Sequence, residues 1–250
     1  MKVNANFGAL TDGARFASAG PSNKMANFSG GVISGDPHWD KVVLLLNMED
    51  VGITDASPSQ HVTVANEGTW FLGGKFGSYS AWWSTNEKLT YTDKPADFQF
   101  GTGDYTIETW VKQTASRAFG VLMSSPNFAT ANNNWILQAN NGQIGYSTLV
   151  GAGSAIDLGL SAATALTDDV WTHIAISHIS GVSELFIAGI SKGTIADTRN
   201  MNDTGGIIIG EYEQSQGQWF NGLQDEIRIT KGVGRYTTNF TPPIEAFPSN

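Results

Sequence analysis

The stretch FNGLQDEIRITKGVGRYTTNFTPP, residues 220–243, sets two neighbouring acids, Asp225 and Glu226, inside a short alternating run. The run breaks at Gly232 and Gly234 and closes on Pro242-Pro243. Two carboxyl groups are the usual equipment for cutting a glycosidic bond: one protonates the leaving oxygen while the other attacks the sugar or activates water. Both must reach the same cleft. Successive residues of a strand point to opposite faces, so regular alternation sends Asp225 inward with Ile227 and Ile229, and Glu226 outward with Arg228. On that geometry the pair belongs to the scaffold rather than to catalysis.

No other catalytic set stands out. His38, His61, His173 and His178 lack metal-ligand spacing such as HExxH, and His173 and His178, five apart in one run, face opposite sides. Each reads as a packed or surface histidine. There is no GxSxG elbow, P-loop or dinucleotide fingerprint, and GTGDY at 101–105 reads as a turn before a strand. No enzymatic activity is expected.

The elements that must position these residues are short strands. The chain has 250 residues, 40% of them hydrophobic and 15% charged, with 29 glycines and eight tryptophans, a balance that fits a turn-rich all-β protein. A net charge of −9 excludes nucleic acid as a partner, because phosphate binding needs clustered Lys and Arg. The absence of cysteine excludes disulfides and thiolate metal sites. The longest apolar run, VVLLL at 42–46, is too short to insert into a membrane. MKVNANFGALTDGARF lacks the apolar stretch of a secretory signal, so if the protein works outside cells it is expected to leave by another route, such as assembly into a virus particle followed by lysis.

Residues 1–36 are rich in Gly, Ala, Ser and Asn, with Phe7, Phe16 and Phe28 scattered singly and no helical or strand period. They read as an extended N-terminal arm: either a flexible leader, or an assembly anchor that orders by burying those rings in a partner. Residues 37–250 read as one domain. KVVLLLNM (41–48), HVTVAN (61–66), KLTYTD (88–93), YTIETWVKQ (105–113), WTHIAISHI (171–179), SELFIAGI (183–190), GGIIIG (205–210) and QDEIRIT (224–230) are strand-like. WILQAN and QIGYSTLV flank Asn141-Gly142, a hairpin signal, and SAATAL (161–166) has room for one helical turn. These runs predict a two-sheet antiparallel sandwich with Val111, Ile174, Ile176, Leu185, Ile187, Ile208, Ile227 and Ile229 between the sheets.

DFQFGTGDYTIETWVK, DDVWTHIAISHISGVSELFIAG, GGIIIGEYEQ and FNGLQDEIRITKGVGRYTTNFTPP, in that order after DPHWDKVVLLLNMED, resemble a laminin G-like domain. The resemblance is to the concanavalin A-like jelly-roll branch common in bacteriophage virion proteins, and it runs from about Asp36 to Phe247. It implies a jelly-roll sandwich used for binding or structure. It also implies that an acid such as Asp225 orders a nearby loop or ligates a buried Ca²⁺.

A Ca²⁺ site needs several oxygens at one point. Glu49, Asp50 and Asp55 follow the first strand and Asp225 lies on the last, so these four acids either converge on Ca²⁺ or are solvated loop carboxylates. Trp70, Tyr79, Trp82, Trp83, Tyr212 and Trp219 lie in turn-flanked segments, where rings stack on sugars or form packing and subunit contacts. Trp110, Trp135 and Trp171 read as core. The function expected from all this is a non-enzymatic structural protein of a phage particle, on capsid or tail. Its partners would be other virion proteins, within a homo-oligomer or large assembly, and a cell-surface glycan that aids adsorption. A free carbohydrate-binding module is the alternative, and a glycoside hydrolase of the same fold the least favoured.

Overall fold

The computed structural model describes residues 35–49, 53–66, 69–85, 87–126, 134–150, 154–159, 161–211 and 217–250. Phe7, Phe16, Phe28, Asp50 and Tyr212 lie outside them. The first strands are β1 (Val42–Leu46), β2 (Val64–Asn66), β3 (Thr69–Leu72), β4 (Tyr79–Trp83) and β5 (Lys88–Tyr91). Next come β6 (Tyr105–Gln113), β7 (Gly120–Ser124), β8 (Asn134–Asn140), β9 (Gln143–Val150) and β10 (Ser154–Gly159). The last are β11 (Thr172–Ile179), β12 (Val182–Ile187), β13 (Ile190–Ala196), β14 (Ile207–Ile209) and β15 (Gly222–Lys231). One 3₁₀ turn, Ala162–Thr164, falls within SAATAL.

The strands form two antiparallel sheets. One runs β13-β12-β11-β6-β15-β4-β3, with β1 also paired to β15; the other runs β10-β9-β8-β7-β14-β5-β2. Together they make a jelly-roll sandwich, as the patterning predicts. Asn141 and Gly142, with φ of 51° and 77°, close the β8–β9 hairpin as the Asn-Gly pair requires. Another turn of that kind joins β12 to β13. Ala188 and Gly189, φ 51° and 75°, end β12 at Ile187, so SELFIAGI is a strand and a turn rather than one strand. A side chain on Gly189 would also collide with the Phe240 carbonyl.

The core lies between the sheets. The first sheet supplies Ile107, Val111, Ile174, Ile176, Leu185, Ile187, Ile227 and Ile229; the second supplies Trp135, Leu137, Ile144, Tyr146, Ile207 and Ile209. Ile208 is the exception among the expected residues. It is buried, but alternation along β14 turns Ile207 and Ile209 inward and sends Ile208 to the opposite face. β7, β10 and β13, and the aromatic strands β3 and β4, lie outside the strand-like runs legible in the sequence.

Because Ile227 is fully enclosed, Ile227→Ala should lower unfolding free energy in denaturant titration by about 2–5 kcal/mol, the range for truncating a core aliphatic. A loss below about 1 kcal/mol would contradict its placement in the core.

Candidate functional site

β15 changes partner part-way along. Gly222, Leu223 and Gln224 pair with β4, whereas Ile227 to Thr230 pair with β1. On its other side β15 follows β6, except for a register shift between Asp225 and Arg228. Glu226, at φ 49°, is the extra residue of a β-bulge. The bulge resets the alternation. Gln224 points inward, where it takes a 2.9 Å hydrogen bond from the Trp83 indole, and Ile227 points inward again. Asp225 stands opposite Trp110, and Arg228 opposite Glu108. Asp225, Glu226 and Arg228 therefore share the outer face, which corrects the strict alternation that put Asp225 beside Ile227.

The two acids nonetheless serve the scaffold. Between the end of the β4 ladder and the start of the β1 ladder, backbone amides near the seam need other acceptors. Asp225 accepts the amides of Lys75 (2.7 Å), Phe76 (3.3 Å) and Glu226 (2.8 Å). Glu226 accepts the Phe247 amide at 2.8 Å and the Asn47 side-chain amide at 3.1 Å. Both are fully enclosed. Burial pushes Asp225 up to about 7 despite its amide donors, and the nearby Glu49 charge adds to the rise. Burial likewise raises Glu226 to about 8, with Asp225 adding to the effect against the Phe247 amide. A sugar-cleaving pair must meet its substrate at an open cleft, and these carboxylates meet a loop and the C-terminal segment instead.

The same face holds a second, ionic cluster. Arg228 donates to Glu108 at 2.9 Å and to Asp36 at 2.8 Å. Arg235 grips Asp36 with two bonds of 2.9 and 2.8 Å. Tyr236 donates to Glu108 at 2.6 Å, and His173 lies 3.2 Å from it. Burial alone would raise the Glu108 pKa, but the Arg228 charge, His173 and Arg235 hold it well below the ordinary carboxylate range. Asp36 belongs to this cluster, within the compact unit that begins at Gly35.

The acids expected near a metal divide by function. Asp55 accepts the amides of Leu45, Ser57 and His61 and the Ser57 hydroxyl, while Glu49 accepts the Ser78 amide. Asp225 and Glu49 grip one loop from two sides, and Asp55 caps another. Their oxygens meet N–H and O–H donors, the opposite of the oxygen-rich cage a cation needs. Among the described residues no three His, Asp or Glu side chains are placed to hold a metal ion. His173 and His178 do take opposite faces: His173 sits by Glu108, and His178 stacks on the core Tyr105 at 4.7 Å.

The aromatics expected in loops sit mostly on strands. Trp70 is on β3, and Tyr79, Trp82 and Trp83 are on β4. Trp83 is core, fully enclosed; Trp82 is half-buried, and its alternation with Ala81 and Trp83 puts it on the outer face. Trp110 is also buried, but on the outer face, under Phe76 and the Lys75 ammonium 4.2 Å from its ring. Among the described members of the set, Trp219 alone lies off a named strand, its ring stacked by the Arg117 guanidinium at 4.0 Å. Arg117 carries only a faint signal in the sequence: one arginine near Phe119, after the strand-like run that ends at Gln113.

A family model described as the concanavalin A-like lectin/glucanases superfamily matches residues 84–233. The chain belongs to that superfamily. Solved structures agree on the fold. Domain 4 of AbnA, a GH43 extracellular arabinanase from Geobacillus stearothermophilus in complex with arabinotriose, matches with TM-score 0.61 at 16% identity, covering 77% of this chain and 93% of that one. The binding domain of Paraclostridial Mosquitocidal Protein 1 matches with TM-score 0.62 at 18% identity, over 78% of this chain and 50% of that one. The binding domain of Botulinum Neurotoxin DC in complex with SialylT matches with TM-score 0.60 at 15% identity, over 78% and 49%. The chain thus spans about half the length of the toxin binding domains. No curated protein sequence matches it.

The raised carboxyls give a signed pH dependence. Their protons are held more tightly in the folded state, so the stability these two groups contribute is full below about pH 4 and is lost as pH rises through about 7 and 8. Glu226→Gln keeps an acceptor for Phe247 and removes the ionisation. Its Tm should gain on the parent between pH 5 and pH 9; a gap that stays constant or shrinks would refute the assignment.

Proposed function

We propose that this chain is a non-catalytic recognition module, a lectin-like sandwich that binds glycan and is displayed on a larger assembly, a phage particle, through residues 1–34. One observation carries the non-catalytic part. The acids of the β15 face are enclosed and bonded to backbone amides or arginines, so among the described residues that face offers no open carboxylate pair to a sugar. The superfamily includes lectins as well as glucanases, and a domain of similar fold was solved with arabinotriose. Those likenesses support carbohydrate as the ligand class.

Display on a particle rests on the composition of residues 1–34, whose single phenylalanines among small residues suit burial against another protein. A free carbohydrate-binding module is the second reading, favoured because the chain covers 93% of a single arabinanase domain.

The purified chain should release no reducing sugar from arabinan or from bacterial cell-wall glycans; release that disappears in Glu226→Gln would end the non-catalytic reading. A truncation beginning at Gly35 keeps Asp36 and its arginines. It should fold with the parent's circular dichroism and bind the same glycans, yet be missing from particles purified after lysis. Equal incorporation would remove the display claim and leave the free module.

A further inference from the structure

The connection between β6 and β7, residues 114–119, crosses the segment that leads into β15. It is pinned there. The Thr114 amide donates to the Asn221 carbonyl at 3.3 Å, and the Asn221 side-chain amide donates to the Ala115 carbonyl at 3.2 Å. The Asn141 amide donates to the Arg117 carbonyl at 2.6 Å, and the Val121 amide to that of Gln218 at 3.1 Å. Gly120 permits the close approach, since a side chain there would crowd the backbone of Trp219, Phe220 and Ala139. An open cleft of about 460 Å³ remains, lined by Ser116, Arg117, Ala118, Phe119, Gly217 and Gln218.

Arg117 lines this cleft. Its guanidinium lies on the Trp219 ring, and Nη2 donates to the Gly217 carbonyl at 2.9 Å. Among the described arginines, Arg228 and Arg235 share Asp36 and Glu108, and Arg199 faces Asp197. Arg117 has no acid in ion-pair range among the described residues, in a chain with 23 acids and only 14 lysines and arginines. The nearby Glu211 takes the Gly217 amide, and its charged neighbours are Lys88 and Glu87. Three buried polar atoms at the same place have no hydrogen-bond partner among the described residues: Arg117 Nε, Gln218 Oε1 and Trp219 Nε1. Unpaired buried polar groups are costly, and here two flank one on the Arg117 guanidinium itself.

We propose that this cleft binds a carboxylate-bearing sugar, with Arg117 as the carboxylate receptor. This rests on the glycan-recognition reading and names its site and ligand class. A planar guanidinium fixed by stacking matches a carboxylate with little loss of side-chain freedom. Ser116 and Gln218 supply hydroxyl partners, and Phe119 offers an apolar wall to the C–H face of a ring. A single cation suits one carboxylate; polysulfated or phosphate-rich polymers need several.

Isothermal titration at low salt tests this with tri-galacturonate against galactotriose and with sialyllactose against lactose, the two pairs separating uronate from sialate. At least one acidic member should bind ten-fold or more tighter than its neutral counterpart. Arg117→Gln should reduce that ligand to the neutral level, and Arg117→Lys should retain part of the preference, both with parental circular dichroism. Equal binding of acidic and neutral sugars, no binding of either acidic sugar, or indifference to Arg117→Gln would overturn the site. So would an acidic peptide that binds as tightly as the sugar, which would point to a protein partner. If neutral glycans bind the parent and the variant alike, this cleft is wrong but glycan recognition stands. If no glycan binds at all, both readings fall.

Discussion

The Glu108–Arg228–Asp36–Arg235 cluster is what the rest of this molecule leans on. Glu108 and Arg228 come from adjacent central strands, β6 and β15, while Asp36 and Arg235 come from the segments before β1 and after β15. One set of charges thus ties the middle of the larger sheet to the chain on either side of it. Each carboxylate oxygen has a donor, and Phe247 lies over the Arg228 guanidinium at 3.8 Å. Such a buried network adds little against a well-packed apolar alternative, but losing one member strands the others, at about 3–5 kcal/mol. Its benefit is geometric: it fixes where the C-terminal segment lies, and Tyr236, Phe240 and Phe247 then pack around His173 and Phe186.

The bulge at Glu226 sits where β15 changes partner. A ten-residue strand that borders β4 first and β1 afterwards leaves a notch between them. An extra residue turns two carboxylates toward that notch, where the amides of Lys75, Phe76 and Phe247 receive them. Acids that resemble a catalytic dyad in one dimension are joinery in three.

Much of this was legible in the residues. Val, Ile and Thr alternation located β6, β11 and β15, and Asn141-Gly142 fixed one hairpin, because both signals are local. What escaped was non-local. Nothing in QDEIRIT marks a bulge, since the cause is the change of neighbour from β4 to β1, more than a hundred residues away. In the sequence Trp83 looks like a loop ring because the strand around it is short and flanked by glycine and serine; its depth comes from Gln224 and the opposite sheet. Arg117 gains meaning only from Gly217 and Trp219, a hundred positions further on.

The Asp36 amide donates to the Asn250 carbonyl at 2.8 Å, so the chain enters and leaves the sandwich at one spot. Such a domain is a closed loop in all but covalent connection. Joining those points with a short linker and opening the backbone at the Asn141-Gly142 turn would preserve every strand pairing. By the same reasoning the sandwich is portable: spliced into a surface turn of an unrelated host, it would require the host's two strand ends to separate by hardly more than a hydrogen bond.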